Sequence, residues 1–317
     1  MAIVPTIRKA QRKQCKASIL LEGLSGRGKS GLALALAYGL VKDWSKVCAV
    51  DTENRSLDLY VGARLHTGDV VGEFLVGDLT ADDGYKPSHY EAYRDAAIKM
   101  GMEALICDSI SHMWQYKGSV LDMVTQAQRN DPKLNKYTAW GLPEIVAEKN
   151  LIMSLIRHPQ LHVINTVRVK EKMEFITGDD GKTALKSLGE QEIMMPDLKY
   201  EPDLVLSMVQ QGTSSGRAPR VLVVKSRYAP FMVDEVYDLT ANMVEQWRLF
   251  LEEGTSPEDL LEMQRKDYIK ATVEYLDNNP NVRPIWDILK ERAGVKEIKI
   301  SELPLEKLKL LFGQLVS

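Results

Sequence analysis

The hydrophobic residues of this chain fall into short continuous runs, separated by longer segments with helical spacing. Continuous apolar strands that alternate with helices are typical of a mostly parallel sheet covered on both faces. The pattern therefore predicts an α/β fold. The runs that we predict to be buried strands are 18–21, 47–50, 74–76, 104–107, 162–167, 204–209 and 221–224. The segments with helical period between them are 31–41, 88–100 and 145–156.

The alternation stops near residue 252. The sequence EEGTSP at 252–257 has the composition of a linker, and the pattern beyond it predicts three helices and no strand. The first 16 residues are polar and basic, which fits either a solvated lead-in or a nucleic-acid contact. We therefore expect three parts, which are a basic segment at 1–16, an α/β core at 17–252 and a helical module at 257–317.

The composition of the 317 residues is that of an ordinary globular protein, with 44% hydrophobic and 27% charged residues. The net charge is −3, so any surface for nucleic acid has to be a local one. Three cysteines with no close pair do not favour a disulfide framework or a zinc cluster. Since no apolar stretch approaches 18 residues, we expect a soluble protein of a reducing cytoplasm with no membrane partner.

Residues 23–30, GLSGRGKS, fit the phosphate-loop pattern G-x-x-x-x-G-K-[ST] at every fixed position. The glycines let backbone N–H groups turn toward phosphate oxygens, Lys29 supplies a cation, and the Ser30 hydroxyl can bind Mg²⁺. The pattern predicts binding of ATP or a close relative; the alternative is a glycine-rich turn that only connects strand and helix. The predicted contacts are Gly23, Ser25, Gly26, Arg27, Gly28, Lys29, Ser30 and Gly31.

Acidic residues follow two of the predicted strands. Asp108 comes directly after the run 104–107, where it can hold magnesium or simply cap a turn. Asp51 and Glu53 follow the run 47–50, and hydrolysis needs a base that polarises a water in line with the terminal phosphate. Glu53 is our choice for that base, with Asp51 as its competitor and a purely structural turn as the alternative.

Residues 17–240 resemble the RecA-like ATPase core, and most of all the phage-encoded RecA-like ATPases associated with single-strand annealing and recombination. The stretches that carry the resemblance come in the family's order. They are the phosphate loop, VDTEN at 50–54, LICDS at 105–109, VINTVRVK at 163–170 and VVKSRYAPF at 223–231.

The resemblance implies roles for particular residues. Glu53 corresponds to the catalytic glutamate and Asp108 to the magnesium-binding acid. Tyr60 corresponds to a tyrosine that stacks on adenine, although a core aromatic is an equal alternative. Lys225 and Arg227 correspond to two bases that reach the γ-phosphate held by a neighbouring subunit, which would make hydrolysis depend on a filament or ring. Their alternative role is that of solvated bases at a strand end.

The sequence also departs from the bacterial recombinases. Thr166 stands where they carry a glutamine that senses the γ-phosphate, and their N-terminal polymerisation helix is absent or reduced to residues 1–16. The region between Asp108 and His162 is long and of unclear order. Annealing or another DNA-linked role is therefore a safer expectation than strand exchange.

Alternating cations follow the predicted strand 162–167 and surround a GDDG turn, which indicates a β-hairpin. In RecA-like proteins the loop after this strand touches single-stranded DNA, although acidic residues dilute the charge here and a solvated hairpin is an equal alternative. Residues 118–140, with aromatics among bases, are a second candidate. The predicted DNA contacts are Arg168, Lys170, Lys172, Lys182 and Lys186.

Together these features favour an ATP-dependent DNA-recombination protein that uses Mg²⁺ and binds or anneals single-stranded DNA as a homo-oligomer. If it is phage-encoded, it would act in the cytoplasm of a bacterial host. One alternative is a helicase or loader motor built on the same site. Another is a nucleotide-gated scaffold whose C-terminal helices recruit a protein partner.

Overall fold

The computed structural model describes residues 9–177, 183–209 and 219–316, apart from the side chains at 136, 171–190, 257 and 258. The chain divides into two compact units. The larger unit is Cys15–Leu251, and the smaller one combines the described residues before Cys15 with those from Glu252 onward.

The larger unit is built on one mixed sheet. Its strands run in the spatial order β3-β2-β4-β5-β1-β7-β8-β9, and β6 pairs with β5 alone. The pairs among β1, β2, β3, β4, β5 and β7 are parallel, whereas β6, β8 and β9 pair in antiparallel fashion. The strands are β1 Ser18–Gly23, β2 Val47–Asp51, β3 Leu75–Asp78, β4 Ala104–Asp108, β5 His162–Thr177, β6 Thr183–Glu192, β7 Leu204–Met208, β8 Arg220–Ser226 and β9 Val236–Asp238.

Helices cover both faces of this sheet and enclose a hydrophobic core on each side. One core packs α1 and α7 against the strands, and the other packs α2 and α6 there. The mostly parallel α/β fold that we predicted is therefore confirmed. The helices are α1 Lys29–Val41, α2 Pro87–Lys99, α3 Ser111–Gln115, α4 Val120–Asn130, α5 Lys136–Trp140, α6 Pro143–Ile156 and α7 Ala241–Glu252.

The structure also contains elements that the hydrophobic pattern did not predict. The region between Asp108 and His162, of unclear order in the sequence, forms the four consecutive helices α3 to α6. Two of them have only five residues each, too short for helical periodicity to be visible. The predicted hairpin is confirmed by the antiparallel pairing of β5 with β6, and its GDDG turn lies outside the described residues. The helix α7 and the three-residue strand β9 had not been predicted.

The smaller unit is helical, as predicted. Its three helices enclose a separate core that includes Leu276, Trp286 and Leu308. The Ser256 side chain caps the first of them by accepting a hydrogen bond from the Asp259 amide at 3.0 Å. None of the helices in the described ranges has the length and apolar character needed to cross a bilayer. The helices are α8 Pro257–Asn278, α9 Arg283–Arg292 and α10 Leu305–Val316.

The helix α1 follows the phosphate loop and is buried along most of its length. It lies close to α7 at Gly39, where an added Cβ would come 2.4 Å from Cγ1 of Val244. That separation is far inside van der Waals contact, so the absence of a side chain at residue 39 allows the two helices to approach. The contact helps to fix the helix that carries the phosphate loop.

We predict that Gly39→Ala lowers the free energy of unfolding by about 1–3 kcal/mol, because the added methyl group overpacks the contact with Val244. The double variant Gly39→Ala/Val244→Ala should recover part of that loss. Chemical denaturation of both variants, and of Val244→Ala alone, measures the effect. Gly313→Ala is the control, since outside its own helical turn no atom of the described residues lies within 4 Å of its added Cβ, and a helical alanine is favoured over glycine. Equal losses in the single and double variants would contradict the contact.

Candidate nucleotide-binding site

The phosphate loop connects β1 to α1 and ends in a buried lysine. Gly26 and Gly28 have φ angles of 77° and 87°, a left-handed conformation that favours glycine. Apart from the adjoining residues of the chain, no atom of the described residues lies within 4 Å of a Cβ built on either glycine, so backbone conformation and not space requires glycine there. The Lys29 side chain is 8% exposed, and its Nζ donates to the carbonyls of Gly23 at 2.8 Å and Leu24 at 3.0 Å.

A cavity of about 190 Å³ opens beside this loop. Its walls come from the loop itself, from the ends of β2 and β4, and from β5 at Arg168, which is level with the end of β1. The structure thereby brings together most of the predicted nucleotide and metal contacts. The lining residues are Ser25, Gly26, Gly28, Lys29, Ser30, Glu53, Tyr60, Asp108 and Arg168.

Asp108 ends β4 at the base of the cavity and is only 1% exposed. Its Oδ1 accepts a hydrogen bond of 2.5 Å from Thr166 Oγ1, whereas its Oδ2 has no hydrogen-bond partner among the described residues. Burial raises the pKa of Asp108, and the nearby hydroxyls of Ser30 and Thr166 oppose that rise. A buried carboxylate oxygen without a partner beside a serine hydroxyl is the oxygen donor set that Mg²⁺ prefers. The residues therefore fit a magnesium ion.

The two acids that follow β2 have different surroundings. Asp51 is buried, and its carboxylate accepts from the backbone amides of Glu53 at 2.6 Å and Leu57 at 2.9 Å. Those bonds shape the turn after the strand and use both oxygens of Asp51. Glu53 instead presents its carboxylate to the cavity. The geometry thus favours Glu53 over Asp51 as the group that can reach a water near the phosphate.

Arg168 lies in the cavity, and this differs from the predicted DNA-binding face shared with Lys170 and Lys172. Its Nε donates to Oε1 of Glu53 at 2.9 Å, and its Nη2 forms an ion pair with the same oxygen at 2.8 Å. The reason is the strand order, because Arg168 pairs with Gly23 of β1 and so still belongs to the parallel part of β5. Only from Val169 onward does β5 pair with β6.

The other predicted DNA contacts lie on the hairpin or outside the described part. Lys170 is exposed on β5. Lys172 and Lys186 stand on the two hairpin strands with side chains that are not described, and Lys182 lies outside the described residues. In the second candidate region, Tyr137 is exposed, whereas Trp140 stacks on Trp114 with ring centroids 5.8 Å apart. That contact fits the alternative in which Trp140 anchors a helix.

Tyr60 ends a short 3₁₀ helix, Asp58–Tyr60, and its ring lies against the first turn of α1. A Cβ added to Gly31 would come 3.2 Å from the ring, so the small residue at 31 makes room for it. Burial raises the pKa of Tyr60, and the charge on Asp108 raises it further. The ring therefore borders the phosphate end of the cavity, and its stacking on adenine stays a prediction.

Lys225 and Arg227 lie at the opposite edge of the sheet from the phosphate loop. The last residue of β8, Ser226, pairs with Leu204, which is level with Ile19 of β1. Gly23 is four residues further along β1, roughly 13 Å at about 3.3 Å per residue. Arg227 forms an ion pair with Asp203 at 3.3 Å, and Lys225 donates to the carbonyl of Tyr200. Burial lowers the pKa of Lys225, and the neighbouring Arg227 lowers it further.

Three side chains that contact the predicted site residues were not predicted from the sequence to do so. Thr166 holds Asp108, Tyr116 accepts from Arg168 at 2.9 Å, and Arg157 pairs with Asp203 at 2.5 Å. For Thr166 a signal exists, because a polar residue near the end of a predicted parallel strand can face the acid that ends its neighbour. No local signal marks Tyr116 or Arg157, since their partners are distant in sequence.

The comparisons with known proteins agree with this geometry at the level of the domain. The model of a family described as AAA domain matches residues 15–240, which is more than half of the chain. No curated protein matches the chain.

We predict that Lys29→Ala abolishes measurable nucleotide binding, because the cavity loses the cation closest to its loop. Isothermal titration with ATP and with ADP measures the loss. Lys42→Ala is the matched control, since it removes a cation at the other end of α1 that pairs with Glu245 and does not line the cavity. Retained affinity in folded Lys29→Ala protein would refute the assignment of the loop.

Proposed function

Because the chain belongs to the AAA domain family, we propose that it is a Mg²⁺-dependent ATPase whose activity is coupled to single-stranded DNA in a homo-oligomer. The observation that carries the proposal is the single cavity in which Lys29, Ser30, Glu53 and Asp108 meet. These are a phosphate-binding cation, two oxygen donors for a metal and a carboxylate that can act as a base. Phosphoryl transfer to water uses this combination of groups at a phosphate loop.

The proposed reaction transfers the terminal phosphoryl group of ATP to water, and yields ADP and phosphate. The Lys29 ammonium group leaves the two loop carbonyls, binds oxygens of the β- and γ-phosphates, and stabilises the charge that develops there. Ser30 and Asp108 would hold Mg²⁺, which supplies further positive charge to the phosphates when bound. Glu53 orients the attacking water and accepts its proton. Tyr60 is our candidate for a stacking contact with the adenine.

The position of Lys225 and Arg227 supports assembly as part of this function. They cannot reach a phosphate in the cavity of their own chain, because they lie at the other edge of the sheet. A second copy stacked head-to-tail would bring that edge to the cavity, which is the arrangement of filaments and rings. In such an assembly the cations would complete the site of the neighbour and make turnover depend on contact between subunits.

The β5–β6 hairpin supports single-stranded DNA as the partner. It continues directly from the strand that carries Arg168, and Lys170 presents a cation at its base. A strand bound there would lie beside the nucleotide site. We propose a role in single-strand annealing or recombination, as the resemblance to phage RecA-like ATPases suggests. The C-terminal helices are then available for a protein partner, and the place of action would be the cytoplasm of a bacterial host.

One set of ATPase measurements tests these proposals. The rate per protomer should rise with protein concentration and rise again on addition of single-stranded DNA. Arg227→Ala should lower turnover at least tenfold while sparing nucleotide affinity, because trans-acting arginines are worth about 10³–10⁵ in rate. Arg220→Ala is the matched control, since Arg220 begins the same strand and pairs with Asp238.

The same measurements separate the alternatives. An ATPase rate that does not change when an oligonucleotide is added, across a range of salt concentrations, would contradict single-stranded DNA as the partner. If Arg227→Ala has unaltered turnover at protein concentrations at which the protein assembles, Arg227 does not act on the site of a neighbouring subunit. Duplex unwinding that requires a loading strand would favour a helicase or loader. Tight ATP binding with negligible turnover, unchanged in Glu53→Gln, would favour a scaffold.

We predict that Thr166→Val raises the Mg²⁺ concentration needed for half-maximal ATPase activity by about 10- to 100-fold. The substitution keeps the shape of the side chain and removes the 2.5 Å hydrogen bond that orients Asp108. A magnesium titration at saturating ATP measures the shift, and nucleotide affinity in the presence of a chelator is the control that should not change. An unchanged magnesium requirement would show that Thr166 does not act through Asp108.

A further inference from the structure

Two cations of the described residues line the cavity, and both are bound to acceptors of the protein itself. Lys29 donates to two backbone carbonyls of the phosphate loop. The Nε of Arg168 donates to Oε1 of Glu53, and its Nη2 lies 2.8 Å from the same oxygen in an ion pair. The carboxylate that serves as the base in the proposed function is therefore paired with a guanidinium at the wall of the phosphate site.

A guanidinium binds carboxylate and phosphate by the same planar fork of N–H donors. The terminal phosphate of a nucleotide in this cavity would therefore be a second acceptor for Arg168, with more charge than Glu53 carries. We propose that Glu53 and the terminal phosphate compete for Arg168, so that a bound triphosphate takes the guanidinium and releases the carboxylate. This inference rests on the proposed ATPase function and assigns Arg168 to the recognition of the third phosphate.

The surroundings of Arg168 restrict this exchange to its side chain. Its backbone amide donates to Ser111 Oγ at 2.9 Å, and its carbonyl accepts from Ile193 at 2.8 Å. Its Nη1 donates to the Tyr116 hydroxyl at 2.9 Å. That hydrogen bond can stay in place while Nε and Nη2 move from the carboxylate to the phosphate. The backbone is thus held between α3 and the end of β6.

The exchange has a consequence for the base. A carboxylate oxygen that is bound by a guanidinium is held in one direction and is not free to orient a water. Release of Glu53 only when a third phosphate is present would link its freedom to the correct ligand. ADP has no terminal phosphate at that position, so it would leave the Arg168–Glu53 pair in place.

A double-mutant cycle measured by nucleotide affinity tests the proposal. The probes are ADP and the β,γ-imido analogue of ATP, titrated with Mg²⁺ into wild type, Glu53→Gln, Arg168→Gln and the double variant. We expect Glu53→Gln to bind the triphosphate analogue roughly tenfold more tightly, because the competitor for Arg168 has lost its charge. Arg168→Gln should bind it roughly tenfold more weakly, with ADP affinity changed less than about twofold in both single variants.

The double variant is decisive. In the Arg168→Gln background, Glu53→Gln should alter the affinity for the analogue by less than about twofold, because no cation is left to compete for. If Glu53→Gln strengthens binding equally with and without Arg168, simple charge repulsion explains it and the proposal is overturned. Equal loss of ADP and analogue affinity in Arg168→Gln would also overturn it.

Two further variants keep the interpretation clear. Arg55 lies two residues from Glu53, pairs with Asp78 and does not line the cavity. The Arg55→Gln variant should therefore prefer the triphosphate analogue over ADP to the same extent as wild type. Lys29→Ala separates this proposal from the proposed function. If Lys29→Ala leaves both ligands bound, the nucleotide site itself is misplaced; if it abolishes both while the cycle is additive, only the role of Arg168 fails.

Discussion

The site depends on one geometric constraint, which is that the carboxyl ends of neighbouring parallel strands meet at the same edge of a sheet. The order β2-β4-β5-β1 places the ends of β2, β4 and β1 beside the point at which β5 leaves the parallel sheet. The phosphate loop, Glu53, Asp108 and Arg168 lie at this edge, although they are spread over more than 140 residues of sequence. Open α/β sheets bind ligands in this crevice because helices cover the faces and leave the strand ends accessible.

Bringing acids together at a sheet edge is unfavourable unless each has a partner. The structure provides a different one for each. Asp51 accepts hydrogen bonds from backbone amides, Asp108 accepts one from the Thr166 hydroxyl, and Glu53 accepts one from the Arg168 guanidinium. Two of these arrangements leave room for a ligand to take part, since Asp108 keeps one oxygen without a partner and Arg168 borders the cavity. The electrostatic design of the pocket thus fits a ligand that carries both anionic oxygens and a cation.

The opposite edge of the sheet has its own charged group, which consists of Arg157, Lys225 and Arg227 around the buried Asp203. Asp203 also accepts from Tyr228, so the cluster is tied to the core. The chain therefore carries the phosphate loop at one edge of the sheet and a group of cations at the other. The head-to-tail assembly that we propose would join these two different surfaces.

The sequence by itself determined the features that depend on neighbouring residues. The phosphate loop is eight contiguous residues, the acids follow directly after apolar runs, and continuous apolar strands specify a sheet covered on both faces. Local spacing also predicted the hairpin and the three C-terminal helices. Of the elements that were not predicted, α3, α5 and β9 are too short to show a period, whereas α4 and α7 are longer amphipathic helices that we did not predict.

Only the tertiary structure decided which distant groups meet. Glu53 and Arg168 are 115 positions apart, and their pairing follows from β4 lying between β2 and β5. The same strand order places Arg168 in the cavity, away from the face that we predicted to bind DNA. The antiparallel direction of β8 places Lys225 and Arg227 at the edge of the sheet opposite the phosphate loop. The physical reason is that side-chain periodicity depends on adjacent residues. The order and direction of strands, in contrast, depend on contacts over the whole sheet.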